Sequence, residues 1–363
     1  MNNAFKVIED AAVKALNEHQ TLSSDRCFKS GGHNGPYFDI ETPVRNTSHW
    51  LISLSILYAE TGKKYFYDLA EQLCNFLLQP GVYEENGVLI QRQKTGKDWC
   101  NGVIGQAWVI EALAIAGKLL DRADAVTRAH QLANVFTFSK TAKAWVKIDQ
   151  ANGKKRVDYT LNHQLWYAAA IALLDDRSLN AQIIEFFDSL DSGSMRVRSD
   201  GIISHLLYTN TPKGLALRFR YWLSELKSWN LVRAKEVGYH LYNLHPLARL
   251  KSQFSEHAIF GSQLLTYALD TAFSDEFVSN LDDNKYAYPY NSPAFEYPLI
   301  ARLFQYQSEV CDKTWQKQML KTFDDDVNGF LKNCPDPMTL NARLYEWLLD
   351  IYYAKYLEGR DEL

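Results

Sequence analysis

Residues 158–175, DYTLNHQLWYAAAIALLD, carry Leu, Trp, Tyr, Ala and Ile on almost every side of the helix they predict. A helix that is apolar all round has to be buried, because none of its faces is suited to water. The next segment, 178–190, has one apolar stripe and one charged face, as a helix that covers a core does. This alternation runs the length of the chain. Buried helices are expected over 46–61, 103–120, 160–175, 236–253, 293–308 and 339–356, and covering helices over 4–19, 64–79, 122–138, 178–190, 258–273 and 312–332. Six of each kind in alternation predict an all-α chain, an (α/α)6 toroid of six inner and six outer helices forming a single domain over residues 1–363. The first three inner helices start 57 residues apart, at 46, 103 and 160, as do the fourth and fifth at 236 and 293, which points to degenerate repetition. Thr160-Leu161-Asn162-x-x-Leu165 returns as Thr339-Leu340-Asn341-x-x-Leu344 at the head of the sixth inner helix. Gly62 and Pro80 follow helices, and Pro293 stands in the first turn of one.

The connections leading into the inner helices are long. Three contain hairpin signals, Glu85-Asn86-Gly87, Ala151-Asn152-Gly153 and Ser199-Asp200-Gly201, flanked by β-rich runs such as VLIQRQ and AWVKID. In a toroid these loops share a face with the inner-helix N-termini. Backbone N–H groups and positive helix-dipole ends collect there, so the face suits an anionic ligand.

Bulk properties narrow the function classes. With 363 residues, 47% hydrophobic and 13% aromatic, the chain can bury a large core. A formal net charge of -4 gives no general attraction to nucleic acid or to anionic membrane, so an anionic partner has to be held by local positive groups. The five cysteines, Cys27, Cys74, Cys100, Cys311 and Cys334, are scattered and form no CxxC pair, which argues against a disulfide framework and a zinc site. No metal or other cofactor is expected. The start, MNNAFKVIEDAAVKAL, reads as an amphipathic helix instead of a signal peptide, and no run is apolar enough to span a membrane, so a cytoplasmic location is expected. The terminal RDEL reads as a charged tail, and Asp324-Asp325-Asp326 as a solvated helix face. Composition leaves the oligomeric state open.

Polar and aromatic residues cluster where the inner helices begin, in PYFDIETPVRNTSHW (36–50), DWCNGVIGQAW (98–108), DYTLNHQLWYAAA (158–170), KEVGYHLYNLHPL (235–247), AYPYNSPAFEYP (287–298) and MTLNARLYEW (338–347). Burying unpaired charges and amides is costly, so these residues either satisfy one another or line a wet pocket. Tyr, Trp, Asn, His and carboxylates together make a lining for a pyranose ring, with aromatic faces against C–H surfaces and fixed polar groups on the hydroxyls. A glycan is therefore the expected partner. Substrate contacts are expected from Trp99, Asn101, Gln106, Trp166, His240, Asn243, His49, Asp39 and Tyr290, with Trp99 as the stacking platform.

Two local resemblances give this pocket a chemistry. Asn162-His163-Gln164-Leu165-Trp166-Tyr167-Ala168-Ala169 resembles the Asn-Asn-His-Ser-Tyr-Trp-Ala-Ala motif of alginate lyases, which are helical toroids. Gly105-Gln106-Ala107-Trp108 is similar to the Arg-Gly-Gln-Ala-Trp segment of unsaturated glucuronyl hydrolases, which are (α/α)6 toroids, although Val103 and Ile104 stand where that family has its Arg and its neighbour. The whole-chain pattern also resembles the VpsJ-like proteins of bacterial surface-polysaccharide clusters. Together these imply a carbohydrate-active enzyme acting on a uronic acid-containing exopolysaccharide or oligosaccharide.

Elimination next to a uronate carboxylate needs a group to neutralise the carboxylate, a base for the proton and an acid for the leaving oxygen. The lyase resemblance implies Asn162 as neutraliser and His163 as base. Position adds Tyr239 or Tyr242 as acid and Arg45 as a carboxylate clamp. A glycoside hydrolase instead needs two carboxyl groups, for which Asp39, Glu41, Asp158, Glu236 and Glu296 are candidates, Glu296 standing in the first turn opened by Pro293. C5 epimerisation of a uronate starts with the same proton abstraction as elimination, and a non-catalytic glycan-binding protein would keep the aromatic lining alone.

Overall fold

In chain order the elements are α1 (Asn2–Glu18), α2 (Val44–Thr61), α3 (Lys64–Leu78), β1 (Glu84–Glu85), β2 (Val88–Leu89), α4 (Ile104–Leu119), α5 (Ala123–Val135), β3 (Phe138–Ser139), β4 (Ala144–Asp149), β5 (Lys154–Val157), α6 (Leu161–Ala172), α7 (Arg177–Ser189), α8 (Pro212–Gly238), α9 (His240–Phe254), α10 (Gln263–Ala272), α11 (Asp275–Asn280), α12 (Pro293–Leu303), α13 (Pro337–Ala342) and α14 (Tyr345–Tyr356). The computed structural model describes residues 2–18, 29–79, 81, 83–149, 153–288, 290–306 and 334–357. The expected outer helix 312–332, Asp324-Asp325-Asp326, Cys27, Cys311 and the RDEL tail lie outside them.

The chain divides into two compact units. One takes in the described residues of Met1–Val135, Ile148–Lys154 and Met319–Leu363, the other those of Phe136–Lys147 and Lys155–Gln318. In the first, α2 packs on α3, α4, α13 and α14, and α4 packs on α5. The helices expected to be apolar all round are buried all round: Val44 to Leu57 of α2 and Ile104 to Gly117 of α4. The serine hydroxyls this encloses in α2 bond back to their own helix, Ser48 to Val44 O at 2.8 Å and Ser55 to Leu51 O at 2.7 Å. Gly117 lets α4 and α5 approach, since a Cβ there would collide with Val126.

In the second unit, α9 packs on α6 and α12, with α7 against α6 and α10 against α9. The covering helices bury one stripe, as the α7 residues Leu179, Ile183, Phe186 and Phe187 do. Each such side chain contributes roughly 1.5–3 kcal/mol when fully removed from water. Two of the hairpin signals form as read, while Ala151 and Asn152 of the third lie outside the described residues. Glu84 pairs with Leu89 and Glu85 with Val88 around Asn86-Gly87, while Val197 bridges Ile203 around Ser199-Asp200-Gly201. Gly201 has φ 81, a left-handed conformation that glycine adopts at little cost.

Four expectations change. The sixth inner helix is two pieces, α13 and α14, separated at Arg343-Leu344. The outer helix expected over 258–273 forms as a 3-10 turn, Ala258–Gly261, followed by α10, which Ser262 caps by accepting from Leu265 N. The inner helix expected from 236 starts at His240, because 236–238 end α8 and Tyr286 fills the space a Cβ on Gly238 would need. No helix was expected between 191 and 235, yet α8 runs from Pro212 to Gly238, with Thr211 capping it by accepting from Gly214 N. Its start signal, Thr-Pro, is legible, but α8 buries only Gly214 and Glu236, Val237 and Gly238, so the alternation of buried and covering helices does not reveal it.

Asp176 caps α7, accepting from Ser178 N at 2.8 Å and Leu179 N at 3.0 Å. Asp176→Ala should lower unfolding free energy by about 1 kcal/mol. Phe187→Ala, which empties a core position, should lower it by about 3–5 kcal/mol. Urea denaturation of the two variants checks both the sizes and the order.

Candidate active site

The head of α6 is fastened to β4 by one side chain. Gln164 accepts from Trp145 N at 2.8 Å and donates to Trp145 O at 2.9 Å and Asp158 O at 2.7 Å. The segment before α6 is thereby fixed, and with it the buried carboxylate of Asp158. One Asp158 oxygen accepts from Thr160 N at 3.2 Å, and the other lies 2.8 Å from His163 Nδ1. A carboxylate only accepts, so Nδ1 carries a hydrogen, and in the neutral ring Nε2 is left with a lone pair. The Asp158 side chain is 2% exposed and that of His163 22%, so the acid is enclosed while the ring reaches solvent.

A second histidine is delivered to the same helix head by the strand-like segment after the 197–203 turn. Thr160 bridges Leu206, Leu161 N donates to His205 O at 3.0 Å, and Leu207 N donates to Tyr159 O at 2.8 Å. The His205 ring stands 5.4 Å from that of Tyr239. Its Nδ1 is buried and has no hydrogen-bond partner among the described residues. Burial, then the charges of Lys235 and His163, hold its pKa well below the usual histidine value against the opposing pull of Asp158. Lys235 Nζ lies 5.9 Å from the centre of the Tyr239 ring, which also neighbours Tyr242, Tyr290 and Tyr286 at 5.9, 6.1 and 6.2 Å. Asn162, 1% exposed, keeps its Oδ1 buried and without a hydrogen-bond partner among the described residues.

Several residues expected near the sugar belong to this second unit. Asn162, His163 and Asp158 are together, and Tyr239 and Tyr290 join them through His205. Asn243 donates to Tyr239 O at 2.8 Å. Trp166 is fully buried, donates to Tyr242 O at 3.0 Å and lies under the Arg249 guanidinium, so it is a packing residue instead of a sugar platform. His240 also has a different role from the one expected. It accepts from Ile203 N at 3.2 Å, its Nε2 is 2.9 Å from Ala268 O, and with both nitrogens held by backbone it ties three segments together. Glu236 is taken up by Arg198, Arg233 and the Tyr221 hydroxyl. Glu296 lies in the first turn of α12, 1% exposed.

The remaining candidates lie in the first unit. Arg45 already clamps a carboxylate of its own chain, with Nη1 3.1 and 3.0 Å from the Glu41 oxygens and its guanidinium 4.3 Å from the centre of the Trp108 ring. Burial raises the Glu41 pKa despite Arg45. His49 stacks on Tyr345 at 4.3 Å, and neither of its nitrogens has a partner among the described residues. Gln106 repeats the Gln164 device, accepting from Leu89 N at 3.0 Å and donating to Leu89 O at 2.7 Å, which makes it structural. Asp39 is buried, but Lys94, Lys97 and Arg92 outweigh that burial and lower its pKa. Trp99 is half-buried in its loop, and Asn101 turns the chain at φ 57.

Sequence reasoning missed His205 and Lys235. The signal for His205 was present as the one ionisable residue within Ile202-Ile203-Ser204-His205-Leu206-Leu207, but its neighbour His163 lies 42 positions back and only folding joins them.

No family model matches the chain. It is 33% identical over 345 residues to archaeal glycosylation protein Q of Haloferax volcanii, a match covering 90% of this chain and 93% of that protein. The chain belongs to the archaeal glycosylation protein Q family. Among solved structures, this family member is similar to a cellobiose 2-epimerase from Bacillus thermoamylovorans (12% identity, TM-score 0.62, 96% of this chain and 100% of that one). It is similar to a D-mannose isomerase (11%, TM-score 0.64, 96% and 98%). A family 76 glycoside hydrolase from a bovine Bacteroides thetaiotaomicron strain also matches (10%, TM-score 0.59, 96% and 77%). At such identities the likeness shows the fold, which is the (α/α)6 toroid expected from the alternation of helices.

Three buried histidines set the acid sensitivity of this family member. Burial lowers the pKa of His240 to about 4, and those of His49 and His205 also fall well below the usual value. Below about pH 6.5 the unfolded chain takes up protons that the folded chain refuses, so stability should fall as pH drops from about 6.5 towards about 4. At about pH 5 the loss from His240 should be on the order of 2 kcal/mol. Urea denaturation across this range checks it, and His240→Gln should flatten the slope.

Proposed function

We propose that this protein is a carbohydrate-active enzyme that removes a proton from a sugar carbon beside a carbonyl or carboxyl group, with His163 as the base. The observation that carries the reading is the Asp158–His163 pair with His205 on the same helix head. Asp158 fixes the tautomer so that Nε2 takes the proton, and it stabilises the imidazolium that forms. His205, kept neutral at pH 7 by burial, offers a second proton-transfer group beside it. Lys235 would hold a developing enolate or a uronate carboxylate, the buried Asn162 Oδ1 would accept from a sugar hydroxyl, and Tyr239 with Tyr290 would pack against the ring.

Two proton-transfer groups serve epimerisation or isomerisation, in which the proton returns to carbon, and equally elimination, in which the second group protonates the leaving oxygen, so the preference for the former rests on the similar proteins. The named relative acts in glycosylation, and two of the similar structures are a sugar epimerase and a sugar isomerase, which accords with a sugar unit as substrate. A uronate substrate, acid catalysis by Tyr239 and β-elimination rest on the short likeness of 162–169 to alginate lyases, and a surface-polysaccharide role rests on the likeness to VpsJ-like proteins. Hydrolysis by two carboxyl groups is less supported, because Asp158 serves His163 and Glu236 is neutralised by Arg198 and Arg233.

Incubation with neutral and acidic sugars in D2O tests this. Deuterium should enter the sugar without gain of water or a new C=C absorbance. His163→Ala should lower exchange by at least about 1,000-fold and Asp158→Asn by at least about 100-fold, with the fold intact. A gain of one water with no deuterium at carbon would remove the proposal, and a new ultraviolet band would move the outcome to elimination.

A further inference from the structure

The 196–208 segment and α8 enclose a cavity of about 550 Å³ in the second unit, whose lining includes Arg196, Arg218, Tyr208, Phe219, Trp222 and Trp229. Four guanidinium groups are found in and around it, and two are accounted for. Arg198 is held by Glu225 and Glu236, and Arg233 by Asp200 and Glu236. Arg196 and Arg218 have no carboxylate partner among the described residues. Both guanidinium groups lie against the Tyr208 ring, 4.7 and 5.1 Å from its centre. Two unneutralised guanidinium groups on one ring, in a cavity of ligand size, form a receptor for a phosphate group, whose oxygens match their planar donors.

The surface next to this cavity is apolar. Leu215, Phe219, Trp222 and Leu226 recur at spacings of four, three and four, so they share one face of α8, and each is about half exposed or more. Ser228 breaks the helix (φ -148, ψ 47), and just beyond it Trp229 is 50% exposed. From Leu215 to Leu226 the face extends for about 16 Å, longer than a nucleobase and suited to hydrocarbon. The rest of α8 is basic, with Lys213, Arg218, Arg220, Lys227, Arg233 and Lys235 against Glu225 and Glu236. A second copy of the chain laid on this face would oppose like charges. An anionic lipid surface would meet both the charge and the apolar stripe, although the chain as a whole carries a formal charge of -4.

We infer that the Arg196–Arg218 cavity takes the phosphate headgroup of a lipid, whose hydrocarbon lies along the Leu215–Leu226 face of α8. Site and reaction are separate: none of these residues belongs to the His163 cluster, so this inference and the proposed proton transfer fail independently.

Co-sedimentation of the full chain with vesicles tests it, using phosphatidylcholine alone and phosphatidylcholine mixed with phosphatidic acid. Binding should require phosphatidic acid. Arg196→Gln/Arg218→Gln should weaken it at least 10-fold, and Phe219→Ser/Trp222→Ser should do the same with every charge retained. Thermal melting of the free variants reads their folding, and these surface changes should leave it unaltered. Absence of vesicle binding, or binding that the arginine pair does not affect, would overturn the inference. So would arginine-dependent binding of uridine diphosphate by a chain that ignores vesicles, which would make the cavity a nucleotide site.

Discussion

The arrangement around His163 depends on a side-chain amide that satisfies backbone. Gln164 both accepts from and donates to Trp145 and reaches Asp158 O, so three hydrogen bonds hold the strand β4 and the approach to α6 against the helix itself. Each buried amide group has to find a partner or lose its hydration without return. Because Gln164 bonds Trp145 and Asp158 O together, it holds the loop bearing Asp158 with the carboxylate within hydrogen-bond reach of His163. Gln106 does the same for Leu89 in the first unit. Gln106 and Gln164 thus play the same part at the heads of α4 and α6.

Around this anchor the polar residues of the inner-helix heads divide into two classes. Gln106, Gln164 and His240 hold backbone and are fully buried. Asn162 Oδ1, Asn243 Oδ1 and His205 Nδ1 are buried without a hydrogen-bond partner among the described residues. The first class explains how long loops are tied to buried helices, and the second marks where a ligand would restore lost hydrogen bonds. Arg45 shows how the classes can be confused from sequence, since a clamp for a substrate carboxylate and a clamp for Glu41 need the same guanidinium.

Archaeal glycosylation protein Q and the similar epimerase, isomerase and glycoside hydrolase structures place this chain in a fold that carries several sugar chemistries. Fold therefore does not choose among them. The choice rests on which ionisable groups remain uncommitted once ion pairs are drawn. Among the described residues Glu236 is spent on two arginines and Asp39 on three cationic side chains, whereas His163 is oriented by Asp158 and His205 Nδ1 has no hydrogen-bond partner.

The sequence by itself determined the helical layers. Apolar residues all round 103–120 and a single stripe in 178–190 leave one way to bury each segment, because helical periodicity is local and burial follows from it. It also determined the turns at Asn86-Gly87 and Asp200-Gly201, where local backbone requirements decide. Asn162 and His163 were legible as a pair, and Asp158 as a separate candidate carboxylate, and only the structure joined Asp158 to His163. Only the tertiary structure supplied His205 and Lys235, and only it separated the struts Gln106, Trp166 and His240 from residues open to a ligand. The exposed helix α8 likewise escaped a reading built on burial. Hydrogen-bond partnership and the desolvation that lowers the His205 pKa depend on atoms brought together from distant positions, and a one-dimensional pattern does not contain those distances.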